Sequence, residues 1–242
     1  MKHIVIGNGE VGNALAENLI GKIDIYDKGE WEELPRLHEN DKTPLVHVCI
    51  PYTKAFIEIA QMINDKHSGY MIIHSTVPPG TTQKVGLCSY SPTMGRHADG
   101  FSTNMLNYFK PFSGNSIAFE QFRDSSNFDM FYWEGPYESL EFAKISSTNY
   151  MYWCLIYEKM IHEECKKNGW KFDRVYTQWN TEYNNGINET YPNLKRPIYK
   201  HDPNPIPGGH CLNSNIYLND DPISKILRNW QEKKGKIKGD LS

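Results

Sequence analysis

The residues best suited to chemistry in this chain of 242 residues begin with a glycine-rich turn near its start. Gly7, Gly9 and Gly12 have GxGxxG spacing and lie between an apolar run and a segment with helical spacing. In such a turn the first glycine permits a tight bend, the second lets a pyrophosphate approach, and the third lets helix and strand pack closely. The helix that follows, beginning at Glu10 and Val11, points its unpaired N–H groups towards the phosphates. The pattern predicts a dinucleotide site, and a purely structural turn is the alternative.

An acidic residue stands where such a site needs one. Asp27 follows a second apolar run, Ile23–Tyr26, and lies about twenty residues after Gly7. A carboxylate there accepts hydrogen bonds from both ribose hydroxyls and repels a 2′-phosphate, which favours NAD over NADP. Lys28, which is next to it, and Pro51, which ends a third apolar run, are predicted to line the same cofactor site.

A second candidate for chemistry is Cys211, which follows two glycines in a segment rich in proline and glycine. A thiolate is a strong nucleophile, and glycines beside it leave a substrate room to approach. A buried structural cysteine is the alternative. Lys144 lies in a long helical pattern, where it either reaches solvent along an apolar face or stabilises negative charge on a substrate oxygen. Thr76, before a Pro–Pro turn, is predicted either to face the cofactor or to cap the helix after Gly80.

The elements that must position these residues alternate between short apolar runs and helical segments. This alternation predicts an α/β fold, a doubly wound parallel sheet of the Rossmann type, in residues 1–135. The predicted strands are Lys2–Ile6, Ile23–Tyr26, Pro44–Ile50, Tyr70–His74 and Gly86–Tyr90, with late strands of the same sheet at Ser116–Phe119 and Met130–Trp133. A helix is predicted over Ala55–Ile63, and residues 95–115 are predicted to be a loop.

A smaller helical domain, built on one long helix, is predicted for residues 136–242. Tyr137 to Asn168 contains no proline or glycine and repeats apolar residues at spacings of three and four, and Gly169 is a typical helix stop. Further helices are predicted from Asp173 and over Ile223–Glu232, with a loop over residues 183–210.

The composition excludes several classes of function. A net charge of −3 gives no electrostatic case for binding nucleic acid or an anionic membrane. No apolar run approaches the ~20 residues that span a bilayer. The five cysteines are scattered without metal-ligand spacing, which predicts reduced thiols, a cytoplasmic location and no metal site.

Three further segments resemble the nucleotide-sugar 6-dehydrogenases, the family of the UDP-glucose and GDP-mannose dehydrogenases. His74–Thr82 resembles the STVPPGTT turn of that family, Glu141–Lys144 its central helix with an active-site lysine, and Pro205–Leu212 its GGHC loop. The order and rough spacing of these motifs and of the glycine turn agree over residues 1–232. Members of the family carry a further nucleotide-sugar-binding domain, so the resemblance implies a truncated form.

The resemblance implies an NAD-dependent oxidoreductase that oxidises the CH–OH group of a sugar or small alcohol in two hydride transfers. It implies that Cys211 adds to the intermediate aldehyde and then carries a thioester, with Lys144 and Thr76 as further catalytic residues. The residues predicted to contact the substrate are Asn149, Gly209, His210 and Asn215. The resemblance also implies a homodimer paired through the helix over residues 137–168, whose aromatic residues cover more than one face.

The chain departs from the family at its carboxylates. Thr93 stands where the family has a glutamate, Asn215 where it has an aspartate, and His74 where it has an acidic residue. Hydrolysis of a thioester needs a carboxylate that positions or activates water. A second interpretation is therefore a catalytically impaired NAD-binding protein that acts as a sensor or as the partner of another chain.

Overall fold

The computed structural model describes residues 1–30, 43–66, 69–95, 100–187 and 190–239. The chain divides into two compact units, Met1–Ile145 and Ser146–Ser242. All strands found among the described residues belong to the first unit, and the second is helical. The predicted combination of an α/β unit and a smaller helical unit is confirmed.

A five-stranded parallel sheet forms the centre of the first unit, in the order β2-β1-β3-β4-β5. Its strands are β1 (Lys2–Ile6), β2 (Lys22–Tyr26), β3 (Leu45–Val48), β4 (Tyr70–Ile73) and β5 (Cys88–Tyr90). The three central strands are almost entirely buried, which explains why their sequences are nearly continuous apolar runs. The five predicted strands are confirmed.

Helices cover both faces of this sheet. They are α1 (Glu10–Ala16), α2 (Phe56–Lys66), α3 (Thr81–Val85), α4 (Phe101–Met105) and α5 (Ser116–Asp124). Successive side chains of β1 point to opposite faces, so Ile4 packs in a cluster with Phe56 of α2, whereas Val5 packs in a second cluster with Phe122 of α5. Each face of the sheet therefore has its own apolar core.

The predicted late strand at Ser116–Phe119 is wrong, because these residues begin α5. The side-chain oxygen of Asn115 accepts hydrogen bonds from the backbone nitrogens of Ile117 at 2.9 Å and Ala118 at 3.0 Å. Such an N-cap satisfies donors that a new helix leaves unpaired. Ala118 and Phe122, four residues apart, are fully buried, as expected for one face of a helix.

A second, two-stranded sheet lies outside the predicted one. Strands β6 (Lys110–Phe112) and β7 (Met130–Tyr132) pair in parallel, and an isolated antiparallel bridge joins Tyr90 to Ser113. The predicted strand at Met130 therefore exists, but it pairs with β6 and not with the main sheet. The predicted loop over residues 95–115 contains α4 and β6.

The long helix α6 (Tyr137–Asn168) has the predicted bounds and continues from the first unit into the second. It ends at Gly169, whose φ of +71° lies in the left-handed region that favours glycine. The backbone nitrogen of Trp170 then donates to the carbonyl oxygen of Cys165 at 2.9 Å and satisfies one of the last helical acceptors.

Shorter helices complete the second unit. A π-helix at Asp173–Gln178 leads into α7 (Trp179–Ile187), and a 3₁₀ turn at Pro192–Leu194, α8 (His210–Asn215) and α9 (Pro222–Gly239) follow. Tyr152, Ile156, Ile216 and Leu227 form the buried apolar cluster of this unit. The predicted helices at Asp173 and Ile223 are confirmed. Among the helices of the described residues, none combines the length and apolar character that crossing a bilayer requires.

Candidate functional site

The glycine-rich turn lies between β1 and α1 and has the backbone geometry that its spacing predicts. Gly7 has a φ of +108°, and its nitrogen donates to the carbonyl oxygen of Tyr26 at 2.8 Å. A Cβ atom at Gly12 would lie 1.8 Å from the carbonyl oxygen of Gly7, so a larger residue does not fit there. A Cβ atom at Gly9 would meet nothing within 4 Å. The turn is therefore closed behind Gly12 and open at Gly9.

The start of α1 faces the same opening. Gly9 is its N-cap residue and has no side chain to accept hydrogen bonds from the first turn, which begins at Glu10 and Val11. The first N–H groups of an α-helix have no partners within the helix and carry a partial positive charge. The side chain of Asn13 donates to the carbonyl oxygens of Asn8 at 3.0 Å and Gly9 at 3.1 Å. Asn13, which the sequence analysis missed, thus braces the turn.

A second carboxylate accompanies Asp27 after β2. Asp27 and Lys28 are both exposed. The backbone nitrogen of Asp27 donates to the carboxylate of Glu30 at 2.7 Å, and the nitrogen of Glu30 donates to the carbonyl oxygen of Asp27 at 3.0 Å. This tight turn holds a second negative charge near Asp27, which makes the end of β2 unfavourable for an additional phosphate.

Pro51 and Thr76 lie in neighbouring loops at the carboxyl edge of the sheet, where the glycine turn and Asp27 also lie. β3 and β4 are adjacent parallel strands, and the hydroxyl of Ser75 donates to the carbonyl oxygen of Ile50 at 2.5 Å. Pro51 is exposed and Thr76 is half-buried. Ligands of open α/β sheets bind outside this edge, so the structure brings together the cofactor residues predicted in this unit.

Glu141 connects the start of α6 to the turn before α3. Its carboxylate is fully buried and accepts hydrogen bonds from the nitrogens of Gly80 at 2.5 Å and Thr82 at 2.8 Å, and from the hydroxyl of Thr82 at 2.6 Å. Glu141, and not Thr76, thus supplies the side-chain acceptor at the start of α3. No local pattern indicates this role, because Gly80 and Thr82 are 61 and 59 residues away from Glu141 in the sequence.

Two lysines of the first unit are candidates for chemistry, the predicted Lys144 and Lys110, which the sequence analysis missed. Lys144 is half-buried on α6. Lys110 on β6 is buried, and its Nζ donates to the carbonyl oxygens of Ser91 and Pro92, each at 3.2 Å. Burial lowers the pKa of Lys110 to about 7, a shift that Cys49 opposes and to which Lys144 contributes. An amine with this pKa gains or loses a proton near neutral pH.

Thr93 and His74 stand at neighbouring strand ends where the resemblance has acidic residues. The nitrogen of Thr93 donates to the carbonyl oxygen of His74 at 3.3 Å. The hydroxyl of Thr93 is buried and has no hydrogen-bond partner among the described residues. His74 is buried, and its ring bonds to a carbonyl oxygen through Nδ1. These positions therefore present a hydroxyl and an imidazole.

Cys211 lies in the first turn of α8, in the second unit, and its side chain is exposed. Gly208 has a φ of +83°, which lies in the left-handed region that favours glycine, and a Cβ atom there would lie 2.8 Å from Cδ1 of Leu212. A Cβ atom at Gly209 would meet nothing within 4 Å. The two glycines thus have different roles, because the first permits the bend and the second leaves open space next to Cys211.

The other cysteines are less accessible. Cys49, Cys88 and Cys165 are buried and Cys154 is half-buried. Burial raises the pKa of Cys49 and of Cys88 to about 12 and also raises the pKa of Cys154. Since the thiolate is the nucleophile, the raised pKa makes each of these three thiols less reactive. The exposed Cys211 is the best candidate for a nucleophile.

Asn149 and Asn215, both predicted to contact a substrate, are buried in the second unit. The amide of Asn149 donates to the hydroxyl of Ser224 at 2.8 Å, and this contact joins α6 to α9. The side-chain oxygen of Asn149 has no hydrogen-bond partner among the described residues. Contact with a substrate stays a prediction for both residues and for Gly209 and His210.

The segment that leads to Gly208 is held against α6 by contacts that the sequence analysis missed. His201 Nδ1 lies 2.7 Å from the buried carboxylate of Glu158. One turn further along α6, the ring of His162 stacks on that of His201 with centroids 3.5 Å apart. Lys159 donates to the carbonyl oxygen of Asp202. These contacts fix the chain before the cysteine loop.

Comparisons with known proteins show which solved structures share the fold of this chain. No protein-family model matches the chain, and no curated protein matches its sequence. A UDP-glucose dehydrogenase from Pyrobaculum islandicum is similar in structure, with a TM-score of 0.68, 14% identity, and coverage of 96% of this chain and 68% of that chain. The UDP-N-acetyl-mannosamine dehydrogenase of Staphylococcus aureus has a TM-score of 0.66 and 14% identity, with 99% and 69% covered.

A shorter neighbour is matched over nearly its whole length. The 3-hydroxyisobutyrate dehydrogenase of Mycobacterium tuberculosis has a TM-score of 0.63 and 11% identity, with 97% of this chain and 94% of that chain covered. Identities this low indicate a shared fold only. The chain thus has the α/β fold found in dehydrogenases of nucleotide sugars and of hydroxy acids.

Proposed function

We propose that the protein is an NAD-dependent oxidoreductase that oxidises the CH–OH group of a sugar or small alcohol. The observation that carries this proposal is the glycine turn, which is closed behind Gly12 and open at Gly9, with α1 starting at the opening. That combination suits a bound pyrophosphate. The structural neighbours support the class of reaction, since they include dehydrogenases of UDP-glucose and of 3-hydroxyisobutyrate.

The preference for NAD over NADP rests on charge. Asp27 suits the ribose hydroxyls, and the carboxylate of Glu30, held by the backbone of Asp27, adds a second negative charge. A 2′-phosphate would meet both carboxylates. Lys28 is exposed beside them and lines the same loop. Asp27→Ala is expected to weaken NAD binding and reduce the discrimination against NADP.

The proposed chemistry follows the resemblance to nucleotide-sugar 6-dehydrogenases. Bound NAD supplies the hydride acceptor. The substrate carbon loses a hydride and its hydroxyl loses a proton, which leaves an aldehyde, and the ammonium of Lys144 stabilises negative charge on the oxygen. The thiolate of Cys211 adds to the aldehyde carbon as a thiohemiacetal. Loss of a second hydride from the thiohemiacetal carbon, to a second NAD that replaces the reduced cofactor, and of the hydroxyl proton would give a thioester, and water would cleave it to the acid and restore the thiol.

A second candidate function is an NAD-binding protein that acts as a sensor or as the partner of another chain. The observation that favours it is the buried hydroxyl of Thr93, together with the buried amide of Asn215, at the two positions where the resemblance has carboxylates. Without a carboxylate to position water, a thioester on Cys211 would persist.

We also infer a homodimer formed through α6. Four large side chains share one face of this helix and are between 43% and 62% exposed: Tyr150, Trp153, Tyr157 and Met160. Residues spaced by three, seven and ten positions lie along one stripe of a helix. An apolar stripe of this kind is typical of an interface, and a second copy of the same helix is the occupant that the resemblance implies. Light scattering at micromolar concentration tests this state.

The cysteines support a cytoplasmic location. Five thiols are distributed over both units, and none is in a disulfide. Exposed and half-buried thiols of this kind persist in reducing compartments.

One experiment tests the two functions together. The protein is incubated with NAD and a panel of nucleotide sugars, free sugars and hydroxy acids, while the absorbance of the reduced cofactor is followed. Reduction with one substrate class supports the oxidoreductase. NAD binding by calorimetry without reduction by any compound supports the sensor or partner. Failure to bind either NAD or NADP contradicts both functions.

A further inference from the structure

Three histidines form a hydrogen-bonded chain inside the first unit, and the proposed function does not use it. Nδ1 of His3 on β1 lies 3.0 Å from Nε2 of His47 on β3, and Nδ1 of His47 lies 2.9 Å from Nε2 of His74. All three side chains are buried. His3 pairs with Leu45 and His47 pairs with Ile72 in the sheet register, so each histidine lies two residues nearer the carboxyl edge than the one before. The histidine chain therefore crosses the sheet diagonally.

Both ends of the histidine chain meet backbone carbonyl groups, which only accept hydrogen bonds. Nε2 of His3 lies 3.3 Å from the carbonyl oxygen of Ile20, and Nδ1 of His74 lies 2.7 Å from the carbonyl oxygen of Ser91. The histidine chain thus has four hydrogen bonds, two between rings and two to the terminal carbonyl groups. Each bond needs one N–H group. Three neutral imidazoles carry only one N–H group each, so one bond lacks its proton.

We infer that the histidine chain is a binding site for one additional proton, which its three rings hold in common. When all three rings are neutral and each carries its proton on Nδ1, the histidine chain keeps the shorter of its two terminal bonds, the one to Ser91. Nε2 of His3 then faces the oxygen of Ile20 without a proton, and this contact is the longest of the four. One added proton supplies the missing N–H group. A further proton would leave two N–H groups facing each other across one of the two bonds between rings. The histidine chain therefore binds one additional proton and not three.

The surroundings set the pH range in which the proton enters. Burial lowers the pKa of His47 and His74 well below its usual value, and the ammonium of Lys110 acts in the same direction on both. Burial lowers the pKa of His3 to about 4, where the bond to Ile20 opposes the shift and the amino terminus adds to it. The histidine chain is therefore neutral at pH 7 and takes up its proton in acid.

Lys110 and the histidine chain share an acceptor. The carbonyl oxygen of Ser91 receives both Nδ1 of His74 and Nζ of Lys110. Cys49 and Lys144 act on this cluster through their effects on Lys110, and Phe122 of α5 contributes an apolar ring against His47 and His74. Two positive charges at one buried oxygen oppose each other. Proton uptake by the chain is thus coupled to the charge of Lys110.

Ring ¹⁵N NMR of the full chain, labelled at histidine, counts the protons without any cofactor. The spectra are recorded from about pH 7.5 down to the acid limit of the folded state. We expect three ring N–H groups in the histidine chain at neutral pH, uptake of one further proton, and a single midpoint reported by all three rings. Separate midpoints, uptake of more than one proton, or unfolding before any uptake would overturn the inference.

A variant tests the counting argument directly. The side-chain amide of His3→Gln carries two N–H groups, so it can donate to both Ile20 and His47 and complete all four bonds without an added proton. We expect His47 and His74 to take up no proton in this variant. His162→Gln, at a histidine that does not belong to the histidine chain, should leave the uptake unchanged. Uptake with an unchanged midpoint in His3→Gln contradicts the proposed site. If His3→Gln does not fold, the number of protons that the wild type takes up decides the question.

Discussion

The carboxylate of Glu141 and the first turn that contains Thr82 form one buried unit, although they are 59 residues apart in the sequence. Oε1 of Glu141 lies 2.8 Å from the backbone nitrogen and 2.6 Å from the hydroxyl of Thr82. Its other oxygen lies 2.5 Å from the nitrogen of Gly80. A side chain from α6 thus provides what α3 lacks in its own N-cap, since Gly80 has no side chain. The start of α6 and the proline-rich turn are thereby fixed to each other.

Glu141→Gln is expected to destabilise the protein by about 2–3 kcal/mol, because the amide nitrogen that replaces one carboxylate oxygen would face the N–H donor of Gly80 in a buried site, while the remaining oxygen still accepts from Thr82. Denaturant-induced unfolding measures the change. Glu138→Gln is the matched control, since Glu138 lies on the same turn of α6 and is exposed. A loss of stability in the control as large as that in Glu141→Gln would contradict a stabilising role of the buried hydrogen bonds.

Substitutions at two glycines of the cofactor turn should separate binding from folding. Gly9→Val is expected to fold with a stability within about 1 kcal/mol of the wild type, because a Cβ atom there meets nothing within 4 Å. It should nevertheless lose NAD affinity at least about tenfold, since the side chain fills the space of a pyrophosphate. Equal NAD affinity of Gly9→Val and the wild type, measured by calorimetry, would sink the cofactor assignment.

Gly12→Val, in contrast, should destabilise the folded protein. Its Cβ atom would lie 1.8 Å from the carbonyl oxygen of Gly7, and the backbone must move to relieve the clash. We expect a loss of about 3 kcal/mol or more in the free energy of unfolding. Thermal unfolding of the two variants side by side checks the contrast, and an undisturbed melting temperature in Gly12→Val would contradict the described turn.

The sequence predicted those parts of the fold that depend on local periodicity. The buried strands stand out as apolar runs, and α6 was predicted with its observed bounds because Gly169 ends an unbroken helical pattern. The start of α5 was missed, since its four residues fit either period and the cap at Asn115 was not recognised. The glycine turn was predicted because its function is contained in consecutive residues.

The contacts that were missed join residues distant in sequence. His3, His47 and His74 belong to three strands, and only the sheet register brings them into line. Lys110 sits between aromatic and proline residues in a segment predicted to be a loop, and nothing local indicates that its ammonium is buried. Periodicity describes which residues face inward, and it does not identify the partners of polar residues that do.

Cys211 should be the first cysteine to react with iodoacetamide. It is exposed, and the open space at Gly209 lies next to it. Cys49 and Cys88 are buried thiols whose pKa is raised to about 12, so their thiolate population at neutral pH is small. One equivalent of reagent followed by peptide mass spectrometry locates the label. Cys211→Ser should take up the label much more slowly, and labelling that falls first on another cysteine in the wild type would refute this assignment.

Lys110→Met should make the protein more stable near neutral pH, by an advantage that shrinks as the pH rises. Burial lowers the pKa of Lys110 from 10.5 to about 7, so the unfolded chain binds more protons at this residue between those values. Stability contributed through Lys110 therefore rises with pH in this window, by up to about 1.4 kcal/mol per pH unit. Methionine, which fills a similar volume without a charge, removes this dependence.

The measurement is the free energy of unfolding from about pH 7 to about pH 8.5, for the wild type and the variant. The difference between the two proteins cancels the effects of cysteines and tyrosines that titrate in both. The advantage of Lys110→Met should be largest at pH 7 and shrink as pH rises, because the wild-type amine is increasingly neutral in the folded state. Lys54→Met, at an exposed position, should follow the wild type. A parallel pH dependence in Lys110→Met and the wild type would mean that the buried amine is not the titrating group.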